Sequence, residues 1–254
     1  MLSKRLASTA AICLLLAAGT AACGDNKDKA SATPKLDTEK LSAQEIEKQA
    51  KDALAGASSV KIVGNVVDGD GKMEISLALD TKGQCTGSLS MPGTGKFEII
   101  SDGKETYLKP DKDFWTAVAG PAGEKAAELF KGRYLSGFQG DPDMKELTTV
   151  CNLKELSKKI VEDDSKKSTV AKGSAGTVNG VKTFSLKSTG PDGQQATIHV
   201  ATEGKFYPVR VEQNKGTETG QTDFTDFDKP LTVQAPPADN VIDFSKFKDE
   251  LKSA

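Results

Sequence analysis

The sequence predicts an α+β fold that is mainly antiparallel β, in which helices cover the apolar face of one long, curved sheet. Segments of alternating polar and apolar residues recur about every 10 residues, and glycine-containing turn signals separate them. Other segments place apolar residues at helical spacing behind a capping box. Because a sheet with one apolar face must be covered by another layer, these helices are its expected cover.

The first 22 residues have the layout of a secretory signal peptide. Two basic residues precede an apolar run over residues 6–19, which is shorter than the roughly 20 residues that a membrane helix needs. The small residues before Cys23 resemble a bacterial lipobox, in which cleavage exposes the cysteine and a diacylglyceryl group is attached to it. Thr20 stands where the usual lipobox has leucine, and an ordinary signal peptide with an incidental Cys23 is the alternative.

A polar segment follows the cysteine. Residues 23–37 are small and polar and contain proline, which predicts a flexible tether. Two acyl chains on Cys23 would provide the two signals that stable membrane anchoring takes. We therefore expect a lipoprotein signal peptide over 1–22, a tether over 23–37 and a single domain over 38–254. The domain would be held on the outer, extracytoplasmic face of the cell membrane.

Charge and cysteine content narrow the class of protein. The chain has 34 basic and 36 acidic residues, and this balance argues against a nucleic-acid partner, which needs a basic patch. Cys13 leaves with the signal peptide and Cys23 carries the lipid, so Cys85 and Cys151 remain. Export favours oxidation, which predicts a disulfide between them, with two separate buried thiols as the alternative.

Three helices are expected. The first lies within residues 38–57, where Ser42 and Glu45 form a capping box before an apolar stripe. The other two occupy residues 121–132 and 152–164 in the middle of the chain.

Ten strands surround this helical middle, and Asn179-Gly180 is the strongest hairpin signal between them. They are predicted over residues 59–67, 72–80, 84–91, 96–101, 105–110, 168–178, 181–189, 195–202, 207–213 and 221–228.

Four motifs of known chemistry fail in detail. Gly83–Gly87 imitates a nucleophile elbow around Cys85, but it alternates as a strand, and His199 is the one histidine of the chain. Asp68–Gly71 begins like a calcium loop and Gly93–Lys96 like a phosphate loop, yet neither continues correctly. A single histidine also argues against a histidine-rich metal site. We therefore expect no catalytic residue, metal or cofactor, with a Cys85-dependent hydrolase as a weak alternative.

Several segments of the domain carry a family resemblance. They read AKDALAGASSVKIVGNVVDGDGKMEISLALD, GSLS, GKFEIISDGKETYLKPDKDFW, YPVRVEQ and TDFTDFDKPLTVQAPP. Together they resemble the actinobacterial LppX/LprG lipoproteins of the LolA-like superfamily, over residues 43 to about 245. The resemblance implies a half-barrel whose concave face binds the acyl chains of a lipid, glycolipid or lipoprotein outside the cytoplasmic membrane.

The apolar face of the predicted sheet supplies the candidate ligand cavity. Its residues alternate with polar neighbours along six strands: Ile75, Leu77, Leu89, Phe97, Phe184, Leu186, Ile198 and Val209. Tyr107, Phe114 and Trp115 are candidates either for the mouth of this cavity or for anchors of the core.

The leading hypothesis is a lipid-anchored, non-enzymatic carrier or chaperone that holds acyl chains in an apolar cavity. Its partners would be the membrane lipid that receives the anchor, an acylated lipid or glycolipid ligand, and a membrane transporter or envelope protein. The alternative is an envelope sensor or interaction module that binds a membrane protein.

The anchor is directly testable. Cys23→Ser removes the thiol that would receive the diacylglyceryl group, so we expect this variant to be unlipidated and to leave the membrane pellet on fractionation. If the variant stays in the pellet, Cys23 is not the anchor.

Overall fold

Twelve strands pair into one open, curved sheet in a computed structural model that describes residues 33–68, 71–138, 149–164, 168–190, 193–215 and 217–246. The predicted signal peptide and Cys23 lie outside the described residues. The strands are β1 Ser59–Asp68, β2 Gly71–Asp80, β3 Gln84–Met91, β4 Gly95–Asp102, β5 Thr106–Pro110, β6 Tyr134–Ser136, β7 Thr169–Val178, β8 Val181–Thr189, β9 Gln195–Ala201, β10 Pro208–Lys215, β11 Glu218–Thr225 and β12 Val241–Asp243.

Four α-helices accompany the sheet within the described residues. They are α1 Ala43–Ala55, α2 Lys112–Ala119, α3 Gly123–Phe130 and α4 Leu153–Asp164. The predicted α+β class with a mainly antiparallel, helix-covered sheet is confirmed.

The sheet consists of two antiparallel meanders that meet side by side. Strands β1 to β6 pair in chain order, and so do β7 to β11. The meanders join where β1 pairs with β11, with Lys61 opposite Thr225 and Asn65 opposite Gln221. The short β12 runs parallel to β6 at one edge, and β7 forms the other edge.

Capping explains where the helices begin. The N–H of Glu45 donates to Ser42 Oγ at 3.2 Å, and the N–H of Ser42 donates to Glu45 Oε2 at 2.7 Å, which is the predicted capping box. Helix α2 was not predicted; it begins where Asp111 Oδ1 accepts the N–H of Phe114 at 2.8 Å. The three-residue strands β6 and β12 are too short to show a periodicity, and both were missed.

The last residues of the predicted tether pack on the domain. Leu36 is buried beside α1, and its N–H donates to the carbonyl of Thr202 at 2.9 Å. The carbonyl of Pro34 accepts the N–H of Gly204 at 2.8 Å. One apolar side chain and two backbone hydrogen bonds therefore hold residues 34 and 36 on the domain.

Two mid-strand glycines permit close strand approach. Gly64 of β1 has φ +150°, and a Cβ there would lie against the carbonyl of Gln221 and 2.7 Å from the Cα of Thr222. Gly87 of β3 has φ +152°, and a Cβ would lie against the carbonyl of Ser76. Such glycines mark places where a strand bends or a neighbouring backbone approaches, which suits a strongly curved sheet.

A disulfide fastens α4 to the sheet. Cys85 of β3 and Cys151, just before α4, are bonded with their Cα atoms 5.3 Å apart and 66 residues apart in sequence. Both are buried in the main core, as is Leu153 in the first turn of α4. In the chain-entropy model, closing a loop of this length contributes about 4 kcal/mol.

Asp228 connects three parts of the chain next to the junction of the meanders. Its Oδ1 accepts a hydrogen bond from the N–H of Ser58 at 2.8 Å, and its Oδ2 accepts hydrogen bonds from Tyr207 Oη and Lys205 Nζ, each at 2.6 Å. The bond from Lys205, followed by those from Ser58 and Tyr207, holds the pKa of the Asp228 carboxyl well below its ordinary value. Asp228 therefore ties the α1–β1 connection to the segment between β9 and β10.

We expect Asp228→Asn to lower the free energy of unfolding by about 1–2 kcal/mol, because charge-assisted hydrogen bonds are lost at a partly exposed site. Asp226→Asn is the matched control. Asp226 also has a positive φ, which asparagine tolerates, but it pairs with the exposed Lys229. Denaturant unfolding at pH 7 should show little change for this control.

The same pair of proteins tests the pH dependence. The pKa of Asp228 is lower in the folded than in the unfolded state, so its contribution is complete at neutral pH. It is lost as the pH falls from about 4 toward the folded-state pKa. The stability gap between wild type and Asp228→Asn should therefore narrow below about pH 4. A gap that is absent at pH 7, or constant down to pH 3, would contradict this role.

Candidate functional site

An apolar cavity of about 500 Å³ lies between the sheet and α1. Its floor spans the neighbouring strands β2, β1, β11, β10, β9 and β8, and therefore crosses the junction of the two meanders. Helix α1 forms one wall, and Leu156 contributes from α4. The cavity thus depends on both halves of the sheet and on two helices.

Strand register fixes the middle of the floor. Ile198, Val211 and Thr222 are cross-strand neighbours, Thr222 lies opposite Gly64, and Gly64 lies opposite Ile75. These residues therefore form one row across five strands, with side chains on one face. Gly64, which has no side chain, stands in the middle of this row.

A second row of floor residues is more polar. Val66 and Met73 face each other across β1 and β2, and Ser188, Ala196 and Gln213 face one another across β8, β9 and β10. All five line the cavity. The floor therefore changes from apolar to polar along the strand direction.

Two glutamine side chains are fixed at this polar end. Gln213 Oε1 accepts the N–H of Val67 at 3.4 Å, and Gln194 Nε2 donates to the carbonyl of Val67 at 3.2 Å. Both glutamines line the cavity. The two glutamines thus bind the backbone of β1 just beyond Asn65, which is the last β1 residue that pairs with β11.

Helix α1 presents both apolar and charged side chains to the cavity. Ala50 and Leu54 are buried, one turn apart, and face the floor. Glu47 and Lys51 also line the cavity, and their side chains form an ion pair with Lys51 Nζ 2.9 Å from Glu47 Oε1. The wall is therefore apolar toward the C-terminal end of α1 and carries one ion pair toward its middle.

The eight predicted cavity residues fall into different places. Ile75 and Ile198 line the cavity. Three others are packed in the main core, and two belong to the cluster beneath the N-terminal half of α1. The core residues are Leu77, Leu89 and Phe97, and those beneath α1 are Phe184 and Leu186.

Val209 is the eighth, and a β-bulge determines its position. Pro208 pairs with Val200 and Arg210 pairs with His199, so β10 has one residue more than β9 between these pairs. Pro208 lines the cavity, whereas Val209 packs in a small separate cluster with Val178 and Ala201. Simple alternation assigns the wrong face to Val209 because a bulge shifts the pleat.

The aromatic residues assigned to the mouth or to the core belong mainly to the core. Phe114 of α2 lies edge-on between Phe97 and Trp115, with ring centroids 6.1 and 5.8 Å away, and Trp115 stacks on Phe130 at 5.0 Å. Phe114 and Trp115 are buried. Tyr107 is half-buried on β5, three strands away from β2 at the side of the cavity floor.

Sequence reasoning expected α1 to cover the sheet but named none of its side chains for the cavity, and it missed several floor residues. Val211 and Phe224 lie on predicted strands and alternate with polar neighbours, so pairing of β10 with β11 would have pointed to them. Glu47 and Lys51 gave no signal, because charged residues beside a helical stripe are normally solvated.

Cys85 and His199, the two residues that the sequence offered as catalytic candidates, both lie in the described part of the chain. Cys85 has no free thiol, since it is bonded to Cys151, and His199 Nε2 lies 3.6 Å from the carboxylate of Glu212. Ranges 33–68, 71–138, 149–164, 168–190, 193–215 and 217–246 contain no cluster of three metal-ligating side chains. Each helix in these ranges is too short or too polar to span a bilayer.

Comparison with known proteins gives similarities of fold. No family model and no curated protein matches the chain. It is similar to LprF from Mycobacterium bovis, with 15% identity and a TM-score of 0.49 over 76% of this chain and 96% of that one. The lipoprotein LppX from Mycobacterium tuberculosis is similar at 14% identity and a TM-score of 0.47, over 74% and 96% of the two chains.

A third similarity is to the MucA/MucB complex of Pseudomonas aeruginosa, with 13% identity and a TM-score of 0.32 over 82% of this chain and 60% of that one. The group of proteins that the sequence resembles is thus found again among solved structures. These similarities concern the fold, and the cavity is the feature of this chain that bears on its function.

Proposed function

We propose that this chain is a lipid-anchored, extracytoplasmic carrier that binds acyl chains in the cavity between its sheet and α1. The proposed anchor is Cys23, and the protein acts by binding rather than by catalysis. The observation that supports the proposal is an open apolar cavity of about 500 Å³ in a domain whose buried apolar side chains otherwise form packed clusters.

The size of the cavity suits an acyl chain. Ligand cavities in proteins measure roughly 300–1,000 Å³ and are lined mainly by apolar side chains. A methylene group is close in size to a water molecule, which occupies about 30 Å³. The cavity therefore has room for on the order of 15 methylene groups, about one acyl chain.

The lining also suits an acyl chain. Ile62, Ile75, Ile198, Val211 and Phe224 offer aliphatic and aromatic surface across the floor, and Leu54 faces them from α1. An unfilled apolar space loses the van der Waals contacts that a ligand would restore. A flexible hydrocarbon chain can follow the curved floor and supply those contacts.

Energetics explain why a carrier needs such a cavity. Each methylene exposed to water costs about 0.8 kcal/mol, so about 15 of them cost on the order of 12 kcal/mol. A bilayer and an apolar cavity both remove this cost, which makes transfer between them nearly balanced. The cavity would thus let an acyl chain leave a membrane without being exposed to water.

Filling the cavity tests the proposal. Ala196 is half-buried on the floor, and Ala196→Phe would add a ring that takes the space of roughly three methylene groups. We expect at least about tenfold weaker binding of 11-(dansylamino)undecanoic acid, from the lost burial of about 0.8 kcal/mol per methylene. Thermal unfolding should stay at or above the wild-type temperature, since a void is filled.

Ala171→Phe is the matched control, because Ala171 is an exposed alanine on the edge strand β7. This variant should bind the probe like wild type. Val211→Phe fills the same floor and serves if Ala196→Phe does not fold. Wild-type affinity in a folded cavity-filling variant would contradict the carrier proposal.

A further inference from the structure

Helix α1 carries two ion pairs of the same spacing on different faces. Lys48 and Asp52 lie 2.6 Å apart with side chains 75% and 64% exposed, on the solvated face. Glu47 and Lys51 lie 2.9 Å apart with side chains only 15% exposed, and both line the cavity. Only the second pair adjoins the proposed ligand.

Stability does not explain the Glu47–Lys51 pair, which is the inner ion pair of α1. An exposed pair at this spacing stabilises a helix only slightly. A pair withdrawn from water loses hydration, and apolar residues of similar volume stabilise a fold as well or better. Apolar side chains at positions 47 and 51 would also extend the surface of Ala50 and Leu54. Charged residues at this place therefore indicate a role toward the ligand.

The inner pair is the charged part of the lining. Among the cavity-lining residues that the structure describes, Glu47 and Lys51 are the charged ones, and the other polar groups are serine, threonine and glutamine. Their charges cancel, so the empty site is neutral. An amphiphile that brings one more charge would find one partner of its own sign and one of the opposite sign.

The chemistry of lysine favours an anion. An ammonium group has three N–H donors, and Glu47 is the carboxylate that pairs with Lys51 Nζ among the described residues. The flexible lysine stem can lie along an apolar wall while its head reaches a polar group. Amphiphiles that contain acyl chains most commonly end in a carboxylate or a phosphate ester, and both accept charge-assisted hydrogen bonds.

We infer that Lys51 binds the oxyanion of an acidic amphiphile whose acyl chain occupies the cavity, and that Glu47 positions Lys51 when no ligand is bound. This inference rests on the proposed carrier function and adds the class of headgroup. A bound oxyanion and Glu47 compete for the ammonium group of Lys51. Neutralising Glu47 therefore strengthens anion binding.

Two probes that have the same hydrocarbon chain but different charge test the inference. 11-(Dansylamino)undecanoic acid is ionised at pH 7.5, and its methyl ester is neutral. The ratio of their affinities, compared between variants, cancels the difference in their solubility. Lys51→Met keeps the length of the side chain without its charge. We expect it to lower the acid-to-ester affinity ratio about tenfold, because a charge-assisted hydrogen bond is lost.

Matched variants make the result specific. Lys48→Met removes a lysine from the exposed face of the same helix and should leave the ratio unchanged. Glu47→Gln should raise the ratio several-fold, and added salt should lower the wild-type ratio. Lys51→Gln replaces Lys51→Met if the latter does not fold.

The outcomes separate the two levels of the proposal. An unchanged ratio in Lys51→Met, or equal effects of Lys48→Met and Lys51→Met, overturns the headgroup inference. If the ester still binds in that case, the carrier function stands. If neither probe binds the folded wild-type protein, the carrier function fails first.

Discussion

Pairing between β1 and β11 is the contact on which the rest of this structure depends. It joins strands that are about 160 residues apart, with Ile62 opposite Phe224 and Gly64 opposite Thr222. Without it the two meanders would be separate sheets, each with an apolar face too narrow to enclose a chain. The loop-closure cost of so distant a pairing grows only slowly with length. Neighbouring contacts, such as the hydrogen bonds that Asp228 accepts, offset this cost.

The same junction requires a glycine in the middle of the floor row, where the backbone of β11 approaches Gly64 so closely that no side chain fits. Helix α1 crosses above with Ala50 and Leu54, one of them small. At the other end of the same inner face, Phe114 and Trp115 of α2 and Phe130 of α3 fill the core. A single apolar face is thus divided into a packed region and an open region by the size of the covering side chains.

That division marks the limit of what the sequence could predict. Alternation located the ten predicted strands to within three residues at each end, and the capping box located the start of α1, because each signal is local. The inward face was also identified, since Leu77, Leu89 and Ile75 do point to the helix-covered side. Whether an inward residue lines a cavity depends on which helix lies above it, and that contact joins distant segments. Leu77 and Leu89 therefore belong to the core, and Ile75 borders the cavity.

Local irregularity accounts for the other differences. The bulge between Pro208 and Arg210 moves Val209 out of the row that alternation assigns to it. Helix α2 begins at a single aspartate cap, and its eight residues are too few for a clear period. Glu47 and Lys51 have the sequence pattern of a solvated ion pair, and only the fold reveals that they face the cavity. The signal peptide and the anchor at Cys23 remain predictions from sequence.

Native mass spectrometry of the full chain, purified from membranes in mild detergent, tests the central claim most directly. Denaturing spectra of the same sample give the covalent mass, including any lipid on the N-terminal cysteine. The carrier account predicts an additional non-covalent mass on the native protein, which collisional activation releases as an acyl-containing amphiphile. A folded protein whose native and covalent masses agree, and which stays empty when acyl lipids are added, would contradict it.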